Sequence, residues 1–118
     1  MILVDTSVWV DHFRTGVAEL PPLLDQGLIL SHPFVIGELA CGALRDRKRI
    51  LADLARLPAL KAARHDEVLH FIAERRLWGK DMGWIDAHLL ACAVIAECEL
   101  WTKDRKLQEA AHAIGVSR

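Results

Sequence analysis

The chain lacks an excess of either charge: 15 Lys and Arg stand against 16 Asp and Glu in 118 residues, a net charge of -1. That balance argues against nucleic-acid binding through bulk positive charge, so local patches have to supply any such contact. Cysteine is scarce and odd in number. Cys41, Cys92 and Cys98 lie in apolar or helical stretches rather than in a framework of turns, which excludes a disulfide scaffold and fits a reducing cytoplasm. A long apolar run is also missing: the unbroken stretch from Leu89 to Ala96 falls far short of the ~20 residues a membrane-spanning helix needs. Asp5 stands where a signal peptide would have its apolar region. No Ser/Gly linker, composition break or internal repeat divides the chain, so one domain spanning residues 1–118 is expected. What the chain does hold is apolar residues, 53% of the total, ample for a core and contrary to disorder. A soluble, cytoplasmic protein with no membrane contact is the expectation.

Patterns of strand and helix alternate along the sequence. Met1 to Val4 is an apolar strand that runs into Asp5-Thr6-Ser7. Val8 to Arg14 reads as a helix punctuated by Thr15-Gly16, and a short helix begins near Pro21-Pro22 and stops at Gly27. Leu28 to Leu30 is a second strand. Pro33 suits the first turn of a helix running through Glu38 toward Leu44. A charged helix follows from Asp46 to Leu57, ended by Pro58. Leu60 to Arg64 is a weak strand candidate, and His65-Asp66 opens a helix closed by Gly79. Ile85 to Ile95 forms a mostly apolar helix with Asp86 in its first turn, where a carboxylate also complements the helix dipole. Leu100 to Thr102 is a short strand, and Leu107 to Ile114 the last helix. The order β-α-α-β-α-α-β-α-α-β-α implies an α/β fold with a parallel sheet covered on both faces.

Within that topology Asp5, Glu38, Asp86 and Asp104 stand apart from the other acidic residues. Asp5 and Asp104 each follow a strand, whereas Glu38 and Asp86 lie early in helices that return over the same sheet edge. Apolar neighbours flank each of them, and Glu38, amid Phe34, Val35, Ile36 and Leu39, would be costly to bury unpaired. Singly, Asp5, Asp86 and Asp104 also read as helix caps. Jointly, four clustered carboxylates repel one another unless a cation joins them, and magnesium and manganese are the hard ions such an oxygen cage favours.

The series Asp5-Thr6-Ser7, Glu38 followed by Gly42, Gly83-Trp84-Ile85-Asp86-Ala87 leading an alanine-rich helix, and Thr102-Lys103-Asp104 resembles the PIN-domain family. Within it, the chain looks like the VapC-type toxins of bacterial toxin–antitoxin pairs, and the resemblance covers essentially the whole chain. It implies a three-layer α/β/α sandwich with a short parallel sheet, magnesium-dependent endoribonuclease activity, a homodimer and inhibition by a VapB-type antitoxin. All four acidic positions are present. Asp5, Asp86 and Asp104 are the preferred metal ligands, and Glu38 is either a fourth ligand or the residue that orients the attacking water. Thr6, Ser7 and Thr102 are candidates to steady a carboxylate or hold a phosphate oxygen, with local capping as the alternative.

RNA affinity around an acidic centre requires cations. Lys103 and Arg105 flank Asp104, and Lys80 lies in the loop before Asp86. Arg45 and Arg47 to Arg49 form another cluster, equally readable as the wet face of a helix. His88 and Cys92 share a helix face with Cys98 following, but no suitably spaced fourth zinc ligand exists. A histidine pair acting without metal remains open on spacing alone. Trp9 reads as core, whereas Trp78 and Trp84 are candidates for base stacking or subunit contact. A phosphoacceptor receiver domain fits poorly, because no acidic pair follows the first strand and no late lysine precedes a proline. A module that holds RNA or a partner without cutting is the other alternative.

Overall fold

The computed structural model describes residues 1–118. Its elements are β1 (Ile2–Val4), α1 (Thr6–Thr15), α2 (Leu20–Asp25), β2 (Ile29–Leu30), α3 (Pro33–Cys41), α4 (Arg47–Ala55), α5 (His65–Arg75), α6 (Trp84–Ala96), β3 (Glu99–Trp101) and α7 (Arg105–Ile114). The strands form one parallel sheet in the order β2-β1-β3. Every residue of β1 is buried, as a strand covered on both faces must be.

The expected strand from Leu60 to Arg64 does not form. A single parallel bridge joins Ala59 to Ser31, with Ser31 N–H donating to Pro58 O at 2.8 Å and Leu60 N–H to Ser31 O at 2.9 Å. The pairing therefore sits just after Pro58 and ends at Leu60. At the opposite edge the C-terminus closes the sheet in the same way, Leu100 N–H donating to Val116 O at 2.7 Å and Arg118 N–H to Leu100 O at 3.1 Å. Both sheet margins are thus capped by short backbone pairings, which blunt the edges.

The strand order also sets the layers. The chain leaves β1 in one direction to reach β2, then returns across β1 to β3. Right-handed crossovers in opposite directions place their helices on opposite faces. The helix contacts form two groups, with α3 and α4 joining the first crossover's α1 although they follow β2: α1 packs on α3 and α3 on α4, whereas α5 packs on α6 and α6 on α7. The result is an α/β/α arrangement around Leu3, Val4, Leu39, Leu89, Leu90 and Leu100, all nearly or wholly inaccessible.

Local chemistry explains the helix limits near the site. Pro33 opens α3, and the preceding His32 accepts the Phe34 N–H on Nδ1 at 3.0 Å, so a buried imidazole serves as the N-cap. The helix ends at Cys41 rather than continuing toward Leu44. In α6, Ala87 to Ala93 are buried without interruption, which matches the apolar pattern of that segment. Gly115 terminates α7 with φ of +92°, a conformation that favours glycine.

Candidate active site

The order of the sheet reverses between β1 and β3, and in open α/β folds the crevice outside the carboxyl ends of such strands is where ligands collect. Asp5 follows β1 there, and Thr102, Lys103 and Asp104 follow β3. The register Val4 to Trp101 carries the two corners forward together, and Asp5 N–H donates to Trp101 O at 2.9 Å.

Asp5 is only 6% exposed, so its carboxylate requires partners. Thr102 Oγ1 donates to Asp5 Oδ2 at 2.7 Å, and Ser7 Oγ donates to the same oxygen at 2.7 Å. The two hydroxyl oxygens stand 3.2 Å apart. Each hydroxyl has one proton and spends it on Asp5, leaving its lone pairs to accept. Ser7 Oγ accepts the Lys103 N–H at 2.9 Å, and Thr102 Oγ1 accepts the Asp104 N–H at 3.0 Å. Two hydroxyls therefore tie the β1–α1 corner to the β3–α7 corner. Asp5 occupies the N-cap position of α1 without capping it through its side chain, so the capping alternative does not apply to this residue.

The other three carboxylates come from separate elements. Glu38 lies in the second turn of α3 and is exposed rather than buried among its apolar sequence neighbours; Thr6 Oγ1 donates to its Oε1 at 2.8 Å. Val35 and Leu39 form the buried stripe of that helix, and Glu38 falls beside it. Asp104 is exposed and caps α7, Oδ1 accepting the Leu107 N–H at 3.0 Å. Asp86 is half-buried, and its Oδ2 accepts the Gly83 N–H at 3.4 Å. Burial pushes the Asp86 carboxyl above its usual value, the Gly83 N–H opposes this, and the negative charges of Asp5, Asp104 and Glu38 add to the rise. Asp5 after β1, Asp104 after β3 and Glu38 of α3 thus all act on the fourth carboxylate.

As placed, no three His, Cys, Asp or Glu side chains are arranged to hold a metal ion. The donor chemistry nevertheless suits a hard divalent cation: the set is all oxygen, its members repel, and Glu38 and Asp104 are exposed enough to turn. Asp5, Glu38, Asp86 and Asp104 are the groups available to such an ion.

The cations named from sequence are dispersed. Lys103 turns its ammonium onto Asp11 of α1, and that hydrogen bond holds the Asp11 carboxyl below its usual value. Arg105 Nε pairs with Glu109 along α7 at 3.2 Å. Lys80 borders a groove with Lys106 and Glu109, and no hydrogen bond or ion pair joins it to the four carboxylates. Arg49 pairs with Asp46 and Asp53, and Arg47 donates to Ala40 O at 2.9 Å. No local sequence pattern marks Asp11, because its partner lies 92 residues away.

The histidine and cysteine residues form no rival centre. His32 Nε2 lies 3.3 Å from Cys92 Sγ in the core, and burial, followed by the neighbouring His88, lowers the His32 pKa to about 4. The His88 ring is enclosed by Phe34 and Trp84 at centroid distances of 4.7 and 4.6 Å. Trp9 is core, stacked on Phe13 at 5.7 Å, whereas Trp78 and Trp84 are exposed.

Comparison with known proteins adds independent findings. The family model "PIN domain" matches residues 2–113. Ribonuclease VapC32 of Mycobacterium tuberculosis, from strains CDC 1551 / Oshkosh and ATCC 25618 / H37Rv, is 44% identical over 118 residues, covering 99% of this chain and 95% of the relative. Among solved structures, PAE2754 from Pyrobaculum aerophilum aligns with a TM-score of 0.64 at 21% identity, over 92% of this chain and 78% of the other. FitAcB from Neisseria gonorrhoeae aligns with a TM-score of 0.65 at 21% identity, over 95% of this chain and 94% of the other. Both structures share the fold.

Proposed function

Because the chain belongs to the PIN-domain family and, within it, to the VapC type, we propose that it is an endoribonuclease, the toxin of a toxin–antitoxin pair restrained by a VapB-type antitoxin. The support for this reading is the hydrogen-bonded assembly of Asp5, Glu38 and Asp104 through Thr6, Ser7 and Thr102 at the carboxyl ends of β1 and β3, with Asp86 responding to all three charges. A relative of nearly the same length is named a ribonuclease, which supports RNA as the substrate.

Asp5, Asp86 and Asp104 hold magnesium in this proposal, with manganese as a substitute, and Glu38 either completes the ligand set or orients the attacking water. When bound, the ion supplies positive charge to phosphate oxygens and lowers the pKa of a water. The protein's own groups do the remaining work. Thr102 and Ser7 fix one oxygen of Asp5, so this buried carboxylate keeps its orientation without reorganising. Thr6 restrains Glu38, and the Asp104 N–H on Thr102 holds the β3–α7 corner beside Asp5. Lys103, Arg105 and Lys80 are proposed to meet RNA phosphates.

The protein is further proposed to act as one domain spanning residues 1–118, as a homodimer in the cytoplasm. Exposed Leu69, Trp78 and Ile95 offer apolar contact area, and three free cysteines suit a reducing compartment. No helix is long and apolar enough to cross a membrane. The test uses protein freed of its antitoxin and incubated with total cellular RNA in magnesium, manganese or a chelator, with the cut ends mapped. Cleavage with divalent ion and none with chelator is expected. RNA binding without cleavage under any divalent ion would make the protein a non-cutting module.

A further inference from the structure

Lys103 is held against α1 at two points. Its backbone N–H donates to Ser7 Oγ at 2.9 Å, and its ammonium pairs with Asp11 Oδ2. Ser7 and Asp11 are four residues apart on one helix, so they present the same face one turn apart, and the lysine lies along it. The two charged side chains are 45% and 40% exposed, so the pair sits on the rim, open to a polyanion. The next cation along the chain, Arg105, is engaged by Glu109. An approaching phosphate therefore meets four carboxylates and a lysine already neutralised.

We propose that Asp11 is a charge gate on Lys103: it occupies the ammonium that a substrate phosphate would take, and so weakens capture of RNA beside Asp104. This rests on the nuclease reading above. A half-exposed ion pair is weak and exchanges readily, so the gate tunes affinity without blocking the site. Exchange also alters the ion balance. A phosphate that takes Lys103 releases its counterion, but the Asp11 left behind takes one up. The contact then adds no net dependence on salt. With Asp11 neutral, the same contact releases an ion and steepens the dependence.

The experiment measures kcat and KM for a single-stranded RNA across a salt series in magnesium, using wild type, Asp11→Asn, Asp11→Ala, Lys103→Met and the Asp11→Asn/Lys103→Met double variant. Both Asp11 variants are expected to lower KM about two- to fivefold at low salt and to steepen the slope of log(kcat/KM) against log salt by about 0.7. Both effects vanish in the Lys103→Met background. If wild type cleaves but the Asp11 variants leave KM and slope unchanged, or raise KM, the gate is overturned while the nuclease reading stands. Persistence of the Asp11→Asn effect without Lys103 also overturns it. Absence of cleavage by wild type in every divalent ion overturns the nuclease reading and the gate together.

Discussion

Replacing Thr102 with Val keeps the shape and removes one hydroxyl from the junction of β1 and β3. The buried Oγ1 donates to Asp5 Oδ2 at 2.7 Å and accepts the Asp104 N–H at 3.0 Å. Loss of a hydrogen bond to a charged group costs about 1.5–3 kcal/mol, and the stranded Asp104 N–H adds roughly 1 kcal/mol. Ser7 still serves Asp5 Oδ2 at 2.7 Å, which limits the damage. The expected loss is about 2–4 kcal/mol in urea-induced unfolding of the metal-free protein, with little change in m. Thr102→Ser restores most of it. Thr102→Val and Asp5→Asn act on the same bond, so a double-mutant cycle gives a coupling of about 1–2 kcal/mol. A loss below ~0.5 kcal/mol for Thr102→Val, or additivity with Asp5→Asn, would refute the claim that this hydroxyl holds the carboxylate.

Two further outcomes follow from buried and clustered charge. His32 is buried and neutral, its pKa lowered from 6.5 to about 4, whereas the unfolded chain protonates at the ordinary value. Between those limits the unfolded state binds more protons, so stability is full above about 6.5 and falls as the pH drops toward about 4, by about 2–3 kcal/mol. His32→Asn retains an acceptor for the Phe34 N–H and should flatten that part of the stability–pH curve; an unchanged slope in urea melts at pH 5 and 7 would assign the effect elsewhere. For Asp86, Asp104→Asn removes one of the like charges yet keeps a capping acceptor for α7. Carboxyl titration by NMR in chelator should place Asp86 lower in that variant, though still above 3.8 because burial remains its largest cause; no movement would mean that the two carboxylates do not interact.

The β1 strand and the groups after it were legible because the apolar run of Ile2 to Val4 stops abruptly at Asp5-Thr6-Ser7, and parallel topology then fixes which strand ends meet. The Ala59 bridge was not, because a single backbone pairing beside Pro58 leaves no two-residue alternation to read. The same holds for the tail against β3, where Val116 supplies only a carbonyl. Glu38 shows a different limit: its sequence neighbours are apolar, but on a helix Val35 and Leu39 define the buried stripe, and Glu38 falls beside it on the exposed side. The Asp11–Lys103 pair depends on how far β3 stands from α1, which no local pattern carries.

Whether Asp5 belongs to a carboxylate site that cuts RNA is tested by comparing wild type with Asp5→Asn. Both are freed of antitoxin, matched by circular dichroism, and incubated with total cellular RNA in magnesium and in manganese. Discrete cleavage is expected from wild type and at least ~100-fold less from a folded Asp5→Asn, the scale of losing a group that organises transition-state charge. Equal cleavage by both, or none by wild type under either ion, would contradict that role for Asp5.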